Sequence, residues 1–233
     1  MGIEQNNSMA LPLWIAVGLA ATYLGAVVLT AELLNRLSPS PAEVTRKIVH
    51  IGAGQVVLIA WWLGIPGWVG AIAGVFAAGI AVLSYRLPIL PSLESVGRHS
   101  YGTLFYAFSI GLLVGGFFSL GLPVFAAIGI LVMAWGDGLA ALVGQRWGRH
   151  RYEVFGFRKS WEGTLTMVLA SFLVTVIFLS YTFGFTVSVL VVAGTVAIAS
   201  AGLESFSRWG IDNLTVPMGS ALIAWAGSYL WLG

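Results

Sequence analysis

The sequence predicts an all-α fold, a polytopic transmembrane helical bundle of about seven or eight spans. Composition gives the first reason: of 233 residues, 58% are hydrophobic and only 9% are charged, whereas soluble domains carry about 25% charged residues. The second reason is that apolar residues form long runs. The third is that all Lys and Arg residues lie in or beside alternate connections between these runs. These features exclude a water-soluble globular domain.

The apolar runs set the number of predicted helices, because a spanning helix needs about 20 mainly apolar residues. Eight runs qualify or nearly qualify, and they cover residues 11–34, 44–63, 67–84, 101–118, 122–143, 164–181, 186–203 and 214–232. Several runs are short, so seven spans remain an alternative to eight. We expect a single membrane domain over 1–233, with an N-terminal helix within 1–43 and a core that carries the motifs at 44–217.

The charge distribution predicts the orientation of the bundle. The connections 35–43, 85–100, 144–163 and 204–213, with adjoining helix ends, hold all 11 Lys and Arg residues, and the three short connections between them hold none. Positive loops face the cytoplasm. We therefore expect the charged connections to form a cytoplasmic face and both termini to lie on the opposite side. Orientation accounts for most of the arginines, and the bilayer rather than a nucleic acid is the expected partner.

Four acidic residues need a different explanation. Asp137, Glu162, Glu204 and Asp212 lie at the cytoplasmic ends of four predicted helices, and acids contribute little to orientation. Ionisable groups at a membrane edge are costly and tend to be functional, and Mg²⁺ favours a few carboxylates together with phosphates and water. The pattern predicts a Mg²⁺ site with Asp137, Glu162 and Glu204 as ligands. The alternative is that each acid pairs with a neighbouring arginine.

Short motifs surround these acids. Gly136 and Gly138 flank Asp137, and glycines would leave the carboxylate open and let a phosphate approach the backbone. The segment 157–164 opens the next predicted helix, where free N–H groups and the helix dipole favour anions. The ammonium of Lys159, one of two lysines, suits a phosphate; the alternative is a lysine that snorkels to the interface.

Two further segments complete the candidate site. Arg46 and His50 share one face of the second predicted helix, where His50 could act as a base, anchor phosphate, or serve only in packing. Asp212 and Asn213 precede Pro217, which we expect in the first turn of the last helix. Helix capping is the alternative role for one of them. The chain has no cysteine and no P-loop pattern, which excludes thiolate chemistry and Walker-type nucleotide binding.

Four segments in order resemble the phytol kinase branch of the polyprenol kinase family: RKIVHIGAG at 46–54, WGDGLAALVGQRWG at 135–148, RKSWEGT at 158–164 and GLESFSRWGIDNLTVP at 202–217. That family includes phytol, farnesol and dolichol kinases and is related to phosphatidate cytidylyltransferases. The resemblance implies an integral membrane kinase that uses CTP and Mg²⁺ to phosphorylate an isoprenoid alcohol, phytol first, with farnesol and geranylgeraniol as alternatives. It also implies nucleotide recognition at six matching residues: Asp137, Lys159, Glu162, Glu204, Asp212 and Asn213.

Taken together, the residues and the resemblance give a candidate site. The expected catalytic residues are Asp137, Lys159, Glu162 and His50. The expected nucleotide-binding residues are Arg46, Lys47, Gly136, Gly138, Arg146, Arg158, Ser160, Gly163, Glu204, Asp212 and Asn213.

Two rival functions remain open. One is a cytidylyltransferase that makes a CDP-activated lipid. Phosphatidate cytidylyltransferases carry a Lys-Arg and Lys-Asp signature where this chain has Ser207-Arg208 and Ile211-Asp212, which weighs against that activity. The other is a lipid transporter, although transporter sites lie near the bilayer midplane and the charges here lie at one edge.

Overall fold

The computed structural model describes residues 11–37, 42–84 and 101–232. In these ranges the chain forms nine helices and one hairpin. The helices are α1 Leu13–Leu37, α2 Ala42–Gly54, α3 Val56–Trp62, α4 Gly67–Ser84, α5 Gly102–Phe118, α6 Pro123–Trp147, α7 Trp161–Phe183, α8 Val187–Ser205 and α9 Asp212–Trp231. The strands are β1 Arg151–Val154 and β2 Phe157–Ser160.

The helical prediction is confirmed, since every predicted apolar run is helical over most of its length. Five helices are long and apolar enough to cross a membrane, and they lie at Leu13–Leu34, Gly67–Ser84, Pro123–Trp147, Trp161–Phe183 and Val187–Ser205. The total of seven or eight spans stays a prediction. The connection 85–100, with Arg86 and Arg98, lies outside the described residues.

The second predicted run is broken into α2 and α3 at Gln55. Three side chains supply donors to carbonyl oxygens at this break: Gln55 Nε2 to Ile51 at 3.3 Å, Tyr23 Oη to Gly52 at 2.8 Å, and Tyr106 Oη to His50 at 3.1 Å. Backbone polar groups in a bilayer must find partners inside the protein. The break is therefore compatible with burial in lipid, and it fastens α2 to both α1 and α5.

Helix α6 lies at the centre of the bundle. Of the residues in its most apolar stretch, 72% are buried inside the protein. Six residues within it, Val132–Asp137, form a π-helical segment, a feature that often occurs at functional sites. Small residues allow close packing around it. A Cβ on Gly129 would lie 2.4 Å from the Pro217 carbonyl oxygen, so α6 and α9 meet backbone to backbone.

The hairpin was not predicted. Segment 157–164 was expected to open a helix, but Phe157–Ser160 forms β2, which pairs antiparallel with β1, and the helix begins at Trp161. Ser160 is the N-cap, its hydroxyl accepting from the Gly163 N–H at 3.2 Å. Strands of four residues within a charged connection carry too short a period-2 pattern to be recognised.

Helix α9 begins at Asp212, so Pro217 lies in its second turn and not in the first as predicted. Proline has no N–H to donate to the carbonyl four residues earlier, which here belongs to Asn213. The hydroxyl of buried Ser109 on α5 lies 2.9 Å from that carbonyl oxygen and 2.9 Å from the Tyr106 carbonyl oxygen, so the two acceptors share its proton. The proline is accommodated because a neighbouring helix supplies the missing donor.

Candidate active site

The carboxylate of Asp137 lies at the end of the π-helical segment of α6 and faces α2. Lys47 donates to its Oδ2 atom, and both residues are almost fully buried, with exposed fractions of 4% for Lys47 and 8% for Asp137. His50, one turn further along α2, places Nε2 at 3.5 Å from the same oxygen. Arg46 also interacts electrostatically with Asp137. One buried carboxylate therefore lies among three basic residues of a single helix.

The imidazole of His50 is held on two sides. Its ring stacks on Tyr106 of α5, with centroids 4.1 Å apart and planes inclined by 28°. Its Nε2 lies 3.4 Å from the Met133 carbonyl oxygen. The tyrosine hydroxyl has room because residue 54 is glycine: a Cβ there would lie 2.6 Å from that oxygen. Sequence reasoning missed Tyr106, because the contact joins positions 56 residues apart and no motif marks it.

Lys159 of β2 reaches the last turn of α8. Its ammonium donates to the main-chain carbonyl of Glu204 and, at 2.5 Å, to the Glu204 carboxylate. A lysine at a helix C-terminus satisfies a free carbonyl and complements the negative end of the helix dipole. Both side chains are largely buried, with exposed fractions of 17% for Lys159 and 13% for Glu204.

The two ion pairs are parts of one assembly. Asp212, at the start of α9, interacts electrostatically with Asp137, Lys47 and Lys159, and Glu204 interacts with both Asp137 and Asp212. We refer to Lys47, Asp137, Lys159, Glu204 and Asp212 as the charged cluster. Its members come from α2, α6, β2, α8 and α9, so the fold brings five of the residues named from the sequence to one place.

Glu162 has a different set of partners. Its carboxylate accepts hydrogen bonds from the main-chain N–H groups of Arg149 at 3.2 Å and His150 at 3.1 Å, and contacts His150 Nδ1 at 2.8 Å. These bonds hold the segment before β1 against the first turn of α7. In the part of the chain that the structure describes, no group of three or more His, Asp or Glu side chains is placed to hold a metal ion.

The expected ligand set of Asp137, Glu162 and Glu204 is therefore not assembled, because Glu162 is engaged by the 149–150 backbone. A magnesium ion that arrives with phosphates needs only one or two protein carboxylates. The carboxylate oxygens of the charged cluster suit that chemistry, although lysine ammonium groups contact two of the three acids.

The glycines of the motifs pack helices together. A Cβ on Gly136 would lie 2.5 Å from Met167 Sδ on α7, and one on Gly138 would lie 2.6 Å from Ile51 Cγ1 on α2. A Cβ on Gly163 would lie 2.9 Å from the Ala140 carbonyl oxygen on α6. All three glycines are buried. At Gly136 and Gly138, where we expected room for a phosphate, side chains of neighbouring helices fill the space, and the nucleotide-binding role of the three glycines stays a prediction.

Of the remaining expected residues, Asn213 contacts the cluster, whereas the partners found for Arg146 and Arg158 lie outside it. Arg146 and Arg158 are exposed; Arg146 lies over the Trp147 ring at 5.2 Å, and Arg158 lies opposite Glu153 in the hairpin. Asn213 is buried, and its amide donates to Asp212 Oδ1 at 2.9 Å and to the Gly210 carbonyl at 3.1 Å. Asn213 thus orients the Asp212 carboxylate and does not act as an N-cap.

A second residue that the sequence did not mark is Tyr152 of β1. Its hydroxyl hydrogen-bonds with Thr164 Oγ1 at 2.6 Å and Ser205 Oγ at 3.0 Å. The hairpin is thereby joined to both α7 and α8, next to the Lys159–Glu204 pair.

Comparisons with known proteins identify relatives of this chain by sequence. The chain is 96% identical over its full length, and the relative's full length, to a phytol kinase of Synechocystis sp.. It is 28% identical to phytol kinase 1 of Arabidopsis thaliana over 90% of this chain and 75% of the relative. It is 30% identical to the farnesol kinase of the same plant over 77% of this chain and 64% of the relative. No family model and no solved structure matches the chain.

Proposed function

Because the chain belongs to the phytol kinase family, whose members named above are alcohol phosphotransferases, we propose that it transfers the γ-phosphate of CTP to the hydroxyl of an isoprenoid alcohol. Phytol is the acceptor we favour, with farnesol and geranylgeraniol next. The observation that carries the proposal is the charged cluster, where two lysines and three acids from five elements meet at one end of the apolar helices.

The position of the cluster suits the two substrates. It lies by the end of α8 and the starts of α7 and α9, with Asp137 ten residues before α6 ends at Trp147. A nucleotide triphosphate is a soluble polyanion, and an isoprenoid alcohol keeps its chain in lipid, so a shared site must lie at the boundary between water and hydrocarbon. We propose that this boundary is the cytoplasmic one, because positive connections face that side.

The lysines would bind the phosphates. In the structure Lys47 and Lys159 contact carboxylates, and a triphosphate would offer each ammonium a second anionic partner. Phosphoryl transfer depends mainly on positioning and charge stabilisation. Two buried cations meet that need, and the exposed guanidinium groups of Arg146 and Arg158 would neutralise the outer charge of the nucleotide.

Proton transfer can be assigned to a small group of residues. The alcohol oxygen attacks the γ-phosphorus, the bond from that phosphorus to the bridging oxygen breaks, and CDP leaves. The hydroxyl proton passes to a base, for which His50 or a carboxylate of the cluster is suitable. Asp137, 3.5 Å from His50 Nε2, would orient the ring and stabilise its charged form. Asp137 with Glu204 or Asp212 would hold Mg²⁺, which would neutralise the phosphates.

The test is an assay of the purified protein that crosses CTP and ATP with phytol, farnesol and geranylgeraniol. We expect a lipid monophosphate and CDP as products. A CDP-lipid with pyrophosphate would instead establish cytidylyl transfer and contradict the proposal, as would phosphorylation by ATP in preference to CTP. Asp137→Asn is the matched inactive control, since it replaces the central carboxylate by an amide of the same size.

A further inference from the structure

Two turns of the chain hold an aromatic residue in a left-handed backbone conformation. Phe155 has φ +50° and Trp209 has φ +52°, and they are the only non-glycine residues with positive φ in the described ranges. Each is followed by a glycine, Gly156 and Gly210, also at positive φ. Such conformations cost about 1–3 kcal/mol for bulky residues, whereas Asn or Gly adopts them readily. Each turn therefore holds an aromatic side chain although the backbone there is strained.

The rings of these turns are neighbours on the protein surface. Phe155 lies 6.2 Å from Phe206, centroid to centroid. The guanidinium of Arg208 lies 5.1 Å from the Trp209 ring and 5.8 Å from the Phe157 ring. Phe155, Phe206 and Trp209 have exposed fractions of 64%, 64% and 63%. We call Phe155, Phe206 and Trp209, with Arg208, the aromatic–arginine surface.

The position of this surface indicates which part of a bilayer it faces. The hairpin joins the end of α6 to the start of α7, and residues 206–211 join the end of α8 to the start of α9. Both turns thus lie at one end of four apolar helices, where the hydrocarbon of a bilayer gives way to lipid headgroups. Aromatic side chains, Trp above all, are enriched at that depth.

The positive charge of the two connections favours anionic lipids. In residues 148–160 and 206–211, the exposed charged side chains are four arginines, Arg149, Arg151, Arg158 and Arg208, and one acid, Glu153. Basic residues beside a membrane are attracted to anionic lipids by about 1 kcal/mol each. Guanidinium groups can also bind lipid phosphates through paired hydrogen bonds.

We propose that the aromatic–arginine surface binds the headgroups of anionic phospholipids, with its three rings inserted among the headgroups and Arg208 on a lipid phosphate. The same hairpin carries Lys159, so lipid binding would hold the charged cluster at the membrane surface. A nucleotide base stacked on the rings is the rival occupant. The proposal does not depend on the identity of the alcohol or the nucleotide.

The first experiment measures the surroundings of Trp209 by fluorescence. Wild type and Trp209→Phe, which keeps a ring at the turn, are reconstituted in liposomes, and the difference of their emission isolates Trp209. Lipids brominated near the headgroup end of the acyl chain should quench most of this difference emission, and aqueous iodide should quench little. Should Trp209→Phe be unstable, Phe155→Trp in the otherwise wild-type protein provides a second reporter, and the difference of its emission from that of wild type isolates the new ring.

Three outcomes would overturn the proposal. One is quenching by iodide without quenching by brominated lipid, which would place the ring in water. Another is protection from iodide by CTP in lipid-free detergent micelles, which would assign the rings to the nucleotide. The third is equal thermal stabilisation of wild type and Arg208→Gln when phosphatidylglycerol is added to phosphatidylcholine liposomes.

A matched control uses the other end of the bundle. Phe185 lies in the connection between α7 and α8 and is 71% exposed, but no arginine lies in that connection. Phosphatidylglycerol should stabilise Phe185→Asn as much as wild type, whereas Phe155→Asn, which suits the left-handed turn, should lose much of that stabilisation.

Discussion

The ammonium of Lys159 donates to both the main-chain carbonyl and the side-chain carboxylate of Glu204. A strand of the hairpin is thereby joined to the last turn of α8. The hydroxyl of Tyr152 makes a parallel connection from the other strand to Thr164 and Ser205. The proposed phosphate-binding residue therefore also holds the hairpin in place, and variants must separate stability from activity.

Replacing Lys159 by Met should reduce both properties. Loss of hydrogen bonds from a charged donor should destabilise the protein by about 2–3 kcal/mol, and loss of a phosphate-binding cation should reduce CTP-dependent activity by about 100-fold or more. Thermal denaturation and the kinase assay give the two readings. The double variant Lys159→Met, Glu204→Gln should recover part of the stability but none of the activity. Full activity in Lys159→Ala would refute the phosphate role.

The buried pair of Lys47 and Asp137 allows a similar separation. Removal of either partner alone leaves an uncompensated buried charge, which costs about 3–5 kcal/mol. The double variant Lys47→Met, Asp137→Leu should therefore be more stable than either Lys47→Met or Asp137→Leu, as measured in a double-mutant cycle. All three proteins should be inactive. Activity in the double variant would exclude Asp137 from the reaction.

Gly163 distinguishes packing from phosphate binding. Gly163→Ala should destabilise the protein by about 1–3 kcal/mol through overpacking, because its Cβ would meet the Ala140 carbonyl oxygen at 2.9 Å. Gly202→Ala is the control, since nothing lies within 4 Å of a Cβ there, and a helical alanine should be neutral or stabilising by up to about 1 kcal/mol. Unchanged stability with a raised KM for CTP in Gly163→Ala would favour a phosphate contact.

Ser109 and Pro217 form a further testable pair. Ser109→Ala should cost about 1–3 kcal/mol, because the buried Asn213 carbonyl would lose its donor. In a Pro217→Ala background the cost should be smaller, since the alanine N–H can donate to that carbonyl. Equal costs of Ser109→Ala in both backgrounds, measured by thermal denaturation, would contradict this account of the helix.

Glu162 should not act as a metal ligand, given its bonds to Arg149 and His150. Glu162→Gln retains an acceptor for these N–H groups, so the Mg²⁺ concentration for half-maximal activity should stay nearly unchanged. The same titration on Glu204→Gln provides the comparison. A rise of more than about tenfold in Glu162→Gln, the size expected for weakened metal binding, would restore Glu162 to the ligand set.

The sequence determined the membrane class, the helical fold and the motifs that point to the family, because composition, apolar run length and motif residues are properties of local sequence. It also identified all five residues of the charged cluster. Their pairing could not be predicted: Lys47 meets Asp137 and Lys159 meets Glu204 across 90 and 45 residues, and each pairing depends on which helices become neighbours.

Only the tertiary structure decided the roles of Tyr106, Tyr152 and the motif glycines. Tyr106 and Tyr152 gain their roles from rings and hydroxyl groups that reach other elements. From the sequence, the motif glycines could lie either in open loops or at helix contacts. The structure shows helix contacts, because Met167 and Ile51 pack against Gly136 and Gly138. The partners of Glu162 could not be predicted for the same reason, because the Arg149 and His150 N–H groups that donate to its carboxylate directly precede a hairpin too short to be recognised from sequence. The sequence gives the chemistry of each side chain, but the packing of the helices determines which partner that side chain contacts.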